Sequence, residues 1–376
     1  MSLRAALLVL WAALLAACAE ETPPPVAPSF HEAGNPERLS DWGVIAVRDR
    51  RLILSEGVFS YDLATPLFSD YALKLRTVWM PDGAAARYDA RDVFDFPVGT
   101  IITKTFYYPQ EDAEWTGAVA QGAPQTLDGG ALSLDGLRLI ETRVLARRAD
   151  GWTALPYVWN DEQAEATLKR TGAVKPLTLV RGDGRREDFA YLVPNQNQCA
   201  GCHAVNATTR ALHPIGPKAR HLNKPSPLDP SVNQLDDWRA RGMLVDAAAA
   251  GAAPRNADWR NAAAPLDARA RAYLDANCTH CHSAVGPADT SGLNFEPDVA
   301  LSPALGLCKS PIAAGAGSGG RLYDIAPGDP EASITVYRMK STDPGSMMPE
   351  LGRAVAHEEG VALIAAWIAS LDGACG

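Results

Sequence analysis

One five-residue pattern occurs twice in this 376-residue chain: Cys-x-x-Cys-His stands at residues 199–203 and again at 278–282. The pattern is typical of covalent haem attachment. Two thiols at this spacing can each form a thioether with a porphyrin vinyl group, and the histidine that follows can then bind the iron. The sequence therefore predicts two covalently bound haem c groups. The predicted attachment residues are Cys199, Cys202, Cys278 and Cys281, and the predicted proximal iron ligands are His203 and His282.

Cysteine pairs at this spacing also form zinc sites and redox-active disulfides. A zinc site needs only the four cysteines, and it gives no reason for a histidine directly after each pair. A thioredoxin-type disulfide is not expected twice with that same histidine. The repeated histidine therefore favours haem over both alternatives.

The N-terminus has the features of an export signal. Arg4 precedes an unbroken apolar run from Ala5 to Ala17, which is long enough for a signal peptide and too short to span a bilayer. The small residues before Cys18 look like a bacterial lipobox. We therefore expect residues 1–17 to be removed and Cys18 to be acylated; ordinary signal cleavage beside an incidental cysteine is the alternative.

The residues after Cys18 predict where the chain is held. Ala19, where some lipoproteins have Asp, resembles outer-membrane sorting. Residues 18–38 are rich in proline and read as an extended tether. A lipid anchor followed by a tether implies a protein on the periplasmic face of the outer membrane.

The charge balance limits the class of partner. The chain has 35 basic and 44 acidic residues, a formal net charge of -9. This acidic excess argues against a nucleic-acid partner and is compatible with a partner that has a basic docking surface.

The first half carries strand signals. Short runs rich in β-branched and aromatic residues alternate with turn residues, which predicts an all-β, sandwich-like domain over residues 39–193. One helix is expected near 161–170. The predicted strands lie at Ala72–Trp79, Val98–Tyr108, Leu137–Leu145 and Phe189–Val193.

The second half is richer in Ala, Pro, Asp and Arg. Its predicted helices are Leu235–Leu244, Asp267–Asn277 and His357–Leu371. We expect a first haem c segment over residues 194–245 and a second, cytochrome c-like domain over 246–376. The predicted fold class is therefore multidomain, with an all-β N-terminal domain followed by a mainly α cytochrome c-like dihaem region.

Each predicted iron needs a second axial ligand or an open face. Met348 precedes Pro349 in a loop ahead of the last helix, and it is the predicted ligand opposite His282. The alternatives are Met347, Met339, or a methionine that only fills the core. For the iron at His203, the prediction is Met243. Core packing of Met243, ligation by His213 or His221, and an open face remain the alternatives.

The cysteine count predicts one disulfide. Of 7 cysteines, one is the predicted lipid site and four belong to the two motifs, which leaves Cys308 and Cys375. An oxidising compartment favours their pairing. The alternative is two free thiols.

Several segments together resemble a known family. Residues 272–282, residues 327–334 and the Met348-Pro349 pair with the terminal helix resemble exported dihaem c-type cytochromes of bacteria. The β half resembles a module found beside cytochrome segments and sometimes fused to sugar-dehydrogenase-like domains. The chain is thus similar to a family of exported dihaem lipoproteins over nearly its whole mature length. The segments that carry the resemblance of the β half are 65–76, 96–100, 140–143 and 157–163.

The motifs and the resemblance predict an electron-transfer protein rather than an enzyme. It would pass single electrons between a redox partner and another carrier, such as a small cytochrome. The resemblance alone suggests a periplasmic dehydrogenase as the partner. One alternative is a dihaem enzyme such as a peroxidase, with one open haem site. Another is a carbohydrate-binding β module with a redox tail, for which Trp115, Trp152 and Trp159 are candidate contact residues.

Overall fold

The computed structural model describes residues 27–312 and 314–376. The predicted signal peptide, the predicted lipid site Cys18 and the first part of the tether lie outside these residues, so those assignments stay predictions. Within the described ranges, no helix is long and apolar enough to cross a membrane.

Strands make up most of the regular structure before residue 194. They run in chain order as β1 (Ile45–Arg48), β2 (Arg51–Leu54), β3 (Phe59–Tyr61), β4 (Leu73–Trp79), β5 (Ala86–Arg87), β6 (Ile101–Pro109), β7 (Ala118–Ala120), β8 (Ala131–Ser133), β9 (Leu137–Arg148), β10 (Gly151–Trp159), β11 (Ala166–Leu168), β12 (Ala173–Val180), β13 (Arg186–Val193) and, much later, β14 (Leu244–Val245). Each of the four strands expected from the sequence overlaps one of these elements.

A six-stranded sheet in the order β11-β10-β9-β6-β4-β3 organises the first half. All of its neighbouring strands are antiparallel. Side chains alternate between the two faces of each strand. Both faces of this sheet are covered by other parts of the chain. One face shares an apolar cluster with the three-stranded sheet β1-β2-β8. The other face packs partly on the sheet β13-β12-β7 and partly on the second half of the chain.

The α-helices in the described part of the chain follow residue 198 and are short. They are α1 (Cys199–His203), α2 (Ala219–Leu222), α3 (Gln234–Ala240), α4 (Leu266–Asn277), α5 (Ile334–Lys340) and α6 (Glu358–Ala369). The two longest, α4 and α6, pack together in one apolar cluster that includes Leu274 and Trp367.

The predicted fold class is wrong. The described residues hold more strand than helix, and no mainly α cytochrome-like region follows the β-rich half. Turns and one-turn 3-10 helices fill most of the chain between α4 and α5. Proline accounts for this, because it cannot continue a helix and removes a backbone donor. The prolines in this segment are Pro287, Pro297, Pro303, Pro311, Pro327 and Pro330.

The helix expected over 161–170 is also absent. A turn with Gln163 at φ 58° occupies its start, and the backbone there has left-handed geometry. Residues Ala166–Leu168 then form β11, which pairs with β10 in the central sheet. Here pairing with a long neighbouring strand overrode a local preference for helix.

The two halves of the chain interlock. Strand β14 comes from the second half and pairs in parallel with β5 from the first. Trp238 of α3 lies edge-to-face on Tyr61, with ring centroids 5.9 Å apart, and 6.3 Å from the ring of Phe94. The second half is therefore built onto the central sheet.

A loop of the β half, residues 62–72, makes a second set of contacts with the second half of the chain. We call it the tie loop. The Thr65 hydroxyl donates to the Ala257 carbonyl at 2.7 Å, and the Phe68 N–H donates to the Asn277 side chain at 2.8 Å. Asn277 is the last residue of α4, so the tie loop fixes the point from which the second motif begins.

The far end of the tie loop holds the segment before α6. The Asp70 carboxylate accepts the N–H groups of Ala354 and Val355 at 2.6 and 2.9 Å. The Tyr71 hydroxyl donates to Glu359 at 2.6 Å. The C-terminal end of α4 and the N-terminal end of α6 are thus both bonded to the tie loop.

A disulfide joins Cys308 to Cys375, which confirms the predicted pairing. The two cysteines are 67 residues apart in sequence. Closing a loop of this length is expected to contribute about 4 kcal/mol by restricting the unfolded chain.

A buried carboxylate network lies at the C-terminal end of α4. Arg220 binds both oxygens of Asp275 at 2.7 and 2.8 Å, and His221 and Asn256 also bond to it at 3.0 and 2.7 Å. The Asp275 side chain is 1% exposed. Burial alone would raise the pKa of Asp275, but hydrogen bonds and charge from Arg220 and His221 hold it well below its usual range.

Asp275→Asn is expected to lower the free energy of unfolding by about 3–5 kcal/mol, because Arg220 would stay buried without its counter-ion. In the wild type, the depressed pKa stabilises the fold above about pH 4, the unfolded pKa of Asp, and this contribution is lost as the pH falls towards the folded value. Urea denaturation at several pH values measures both effects. Asp135→Asn, at an exposed ion pair with Arg50, is the matched control; an equal loss in both variants would contradict the prediction.

Candidate functional site

The first motif is a single helical turn, α1, that begins shortly after β13. Asn195 and Gln198 exchange hydrogen bonds between side chain and backbone at 2.8 and 2.9 Å, which shapes the turn into α1. The Cys199 thiol lies 3.6 Å from the Asn195 carbonyl. The first pair of cysteines is therefore held against the edge of the β half.

The second motif continues directly from α4, as the sequence predicts. The Cys278 N–H donates to the Leu274 carbonyl at 2.8 Å, and the His282 N–H donates to the Cys278 carbonyl at 2.9 Å. The Thr279 hydroxyl anchors the turn by donating to the Phe295 carbonyl at 2.8 Å.

The two motifs meet in space. The Cys281 thiol of the second motif donates to the Gly201 carbonyl of the first at 3.5 Å. A Cβ at Gly201 would lie 2.8 Å from a Leu351 methyl group, so glycine allows the close approach. We call residues 199–203 and 278–282 together the motif pair.

A cavity of about 590 Å³ opens beside the motif pair. Its volume is within the range of small-molecule and cofactor sites. The lining residues include Cys202, Cys278, Cys281, His280, His282, Phe68, Phe295, Arg338, Met339, Met348 and Arg353. The wall therefore combines apolar and aromatic side chains with two guanidinium groups.

The predicted ligands of the second motif lie on this one cavity. His282 and Met348 both line it, and the rival Met339 does so as well. The Nδ1 atom of His282 is 3.1 Å from the Ser291 hydroxyl, a contact that fixes the orientation of the ring. The pairing of His282 with Met348 stays a prediction.

The first motif has a different environment. His203 Nδ1 lies 2.8 Å from the His213 carbonyl. Met243 is buried in the apolar cluster that contains Trp238 and Phe94, as in the core-packing alternative. The imidazole of His221 is engaged with Asp275.

Burial disfavours the thiolate form of all four motif cysteines. They are free cysteines. Burial raises the pKa of Cys199 and Cys202, and it raises the pKa of Cys278 and Cys281 to about 12. Since the thiolate is the reactive form of cysteine, burial lowers the reactivity of these thiols.

The predicted cofactors, two covalently bound haem c groups with their iron, are contradicted. Across residues 27–312 and 314–376, no group of three or more His, Cys, Asp or Glu side chains could hold a metal ion. The haem interpretation of the motif pair is corrected on this ground.

An aromatic group beside the cavity was missed by the sequence analysis. His357 stacks on Phe68 with ring centroids 4.2 Å apart, and it meets the edge of Trp259 at 5.0 Å. The Tyr273 hydroxyl is hydrogen-bonded to His357 Nδ1 at 2.8 Å. No local pattern indicates this group, because its members come from four separate segments.

The aromatic residues considered for carbohydrate binding do not form a shared exposed surface. Trp152 and Trp159 are buried. Trp115 lies beside a cavity of about 330 Å³, but the Arg138 guanidinium covers its ring at 4.3 Å. A stacking platform for sugar rings is therefore not available among these three residues.

Comparison with known proteins identifies no relative whose function could guide the interpretation of this site. No protein-family model, curated protein or solved structure matches the chain. The resemblance noted from the sequence thus stays an expectation, and function is inferred from the motif pair and its surroundings.

His357→Phe is expected to reduce the loss of stability in acid. Burial lowers the pKa of His357 to about 4, with nearby Glu359 partly opposing this. As the pH falls below about 6.5, the unfolded chain takes up a proton that the folded protein resists, so stability falls by about 2–3 kcal/mol by pH 4. Phenylalanine keeps the stacking on Phe68 and cannot be protonated.

Thermal denaturation of both proteins between pH 7 and pH 4 checks this expectation. His31→Phe, at a histidine packed on Trp42, is the matched control and is expected to retain the acid loss of the wild type. An identical pH slope in wild type and His357→Phe would show that His357 is not the group concerned.

Proposed function

We propose that this protein is an exported electron-transfer protein, which passes single electrons between a redox partner and a second carrier. The observation that carries the proposal is the meeting of both Cys-x-x-Cys-His motifs beside one cavity of about 590 Å³. A cavity of this size with apolar and aromatic walls is typical of small-molecule sites.

The state of the thiols supports electron transfer over thiol–disulfide exchange. An oxidoreductase of the thioredoxin class needs a thiolate of lowered pKa. Burial instead raises the pKa of Cys202 and Cys281, the two cysteines nearest the contact between the motifs. The motif thiols are thus poorly suited to thiol–disulfide exchange.

The charge of the chain supports a protein partner with a basic docking surface. The net charge is -9, and attraction between opposite surfaces accelerates the encounters that transient electron transfer requires. The expected export signal and lipid anchor put this exchange at a membrane surface outside the cytoplasm. An exported dehydrogenase is the partner that the sequence resemblance favours.

A redox titration of the full chain, purified from its host after export, tests the proposal. We expect reversible reduction with dithionite in one-electron steps. The variant in which Cys199, Cys202, Cys278 and Cys281 are all serine is expected to lose those steps, because the proposal rests on the motif pair. A wild type with no redox step would refute the function, and turnover of peroxide with a reduced donor would identify an enzyme instead.

A further inference from the structure

Four cationic side chains share one face of the central sheet. Lys74 and Arg76 are two residues apart on β4, so their side chains lie on the same face. Arg76 is directly opposite Lys104 on β6, and Lys104 is directly opposite Arg143 on β9. We call these four residues the cation group. Like charges in directly opposed positions destabilise a sheet, so the group requires compensating negative charge.

The cation group lies between two apolar clusters on this face. On β6, Ile102 belongs to the cluster that includes residues of the second half of the chain, and Phe106 belongs to the cluster shared with β12 and β13. Lys104 stands between these two residues on the strand. Lys74, Lys104 and Arg143 are each half-buried, so solvent reaches this part of the sheet.

Three of the four cations converge on the ring of Phe106. The Nζ atoms of Lys74 and Lys104 lie 5.7 and 5.3 Å from the ring centroid, and the guanidinium carbon of Arg143 lies 4.5 Å from it. Contact with an aromatic ring stabilises each cation by about 0.5–2 kcal/mol. The ring therefore holds the three charges close together without neutralising them.

Carboxylates neutralise only the arginines of the cation group. Glu141 accepts two hydrogen bonds from Arg143, at 2.9 and 2.6 Å. Asp62 is shared, since it pairs with Lys224 at 2.6 Å and with Arg76 at 3.4 Å. The group thus keeps an excess of positive charge.

The two lysines are the source of this excess. In the described part of the chain, neither Lys74 nor Lys104 forms an ion pair with a carboxylate. The Lys74 ammonium group donates to the Ala72 carbonyl at 2.8 Å, whereas the contact of Lys104 Nζ is with an aromatic ring. Burial and the charges of two neighbouring arginines lower the pKa of Lys104 to about 7. Half-buried donors in a positive environment favour an anionic acceptor.

We infer that the cation group binds one small dianion with oxygen acceptors, either a tetrahedral oxyanion of the phosphate type or a dicarboxylate. Two negative charges match the two lysines that have no carboxylate. Lys104 is the central ligand, because Arg76 and Arg143 flank it on the neighbouring strands. Ammonium and guanidinium groups are the usual donors to such anions. The site lies on the sheet, and it does not depend on the proposed electron transfer.

Isothermal titration calorimetry of the full chain tests the site at about pH 6, where Lys104 is mostly charged. Sulfate is the probe for the tetrahedral class and oxalate the probe for the dicarboxylate class, and both are dianions at this pH. Sodium chloride keeps the ionic strength constant, so that general screening does not change during the titration. We expect saturable binding of one anion per chain, and the tighter probe identifies the class of the ligand.

Variants at the lysines separate a built site from general attraction to a charged surface. Lys104→Gln and Lys74→Gln are each expected to weaken binding by about tenfold or more, because each removes a charged donor. Lys104→Arg keeps the charge and is expected to keep the binding. Lys169→Gln removes an exposed lysine outside the cation group and is expected to change nothing.

Urea denaturation without either probe shows whether the variants keep the fold. Weaker binding in Lys104→Gln with an unchanged or higher urea midpoint would support the site, since the substitution also removes repulsion between like charges. Two results would overturn it. One is the absence of saturable binding of both probes to the wild type, and the other is equal affinity in the wild type and both glutamine variants.

Discussion

The carboxylate of Asp275 is the interaction on which the site depends most. It lies at the end of α4, three residues before Cys278, and is bound by Arg220, His221 and Asn256. A buried carboxylate is stable only when its oxygens are paired and hydrogen-bonded. The requirement draws α2 and the segment around Asn256 onto α4. The second motif therefore begins from a fixed point, which the tie loop also holds through Asn277.

The site lies where the central sheet meets the second half of the chain, which has few helices. The sheet places Arg76, Lys104 and Arg143 in adjacent positions, and the turns of the second half supply most of the cavity wall. Loops placed on a rigid scaffold often carry function, since their backbone follows the shape of a ligand rather than a hydrogen-bonding ladder. The prolines that shorten the helices thus also shape the cavity.

The sheet lysine Lys104 and the buried histidine His357 break the usual rules for a stable interior. Lys104 lies between two arginines without a carboxylate of its own, and His357 is held neutral among aromatic rings. Proteins keep such locally unfavourable groups mainly at functional sites. Both groups lie around the motif pair, and this agreement supports placing the function there.

The sequence alone determined the features that depend on short-range spacing. Alternating residues predicted the strands of the central sheet, helical periodicity predicted α4 and α6, and counting cysteines predicted the Cys308–Cys375 disulfide. The two motifs were also visible in the sequence, and Met348 and His282, which the sequence assigned to one site, line the same cavity.

Only the tertiary structure decided what these pieces form together. It replaced the mainly α second half with turns built on a sheet, and it removed the expected helix over 161–170 in favour of β11. It also brought Cys281 against Gly201 and aligned Lys104 between Arg76 and Arg143. The physical reason is separation along the chain. A local sequence pattern reports only the periodicity of neighbouring residues. These contacts join residues that are far apart in the chain, and they are fixed by burial, strand register and ion pairing.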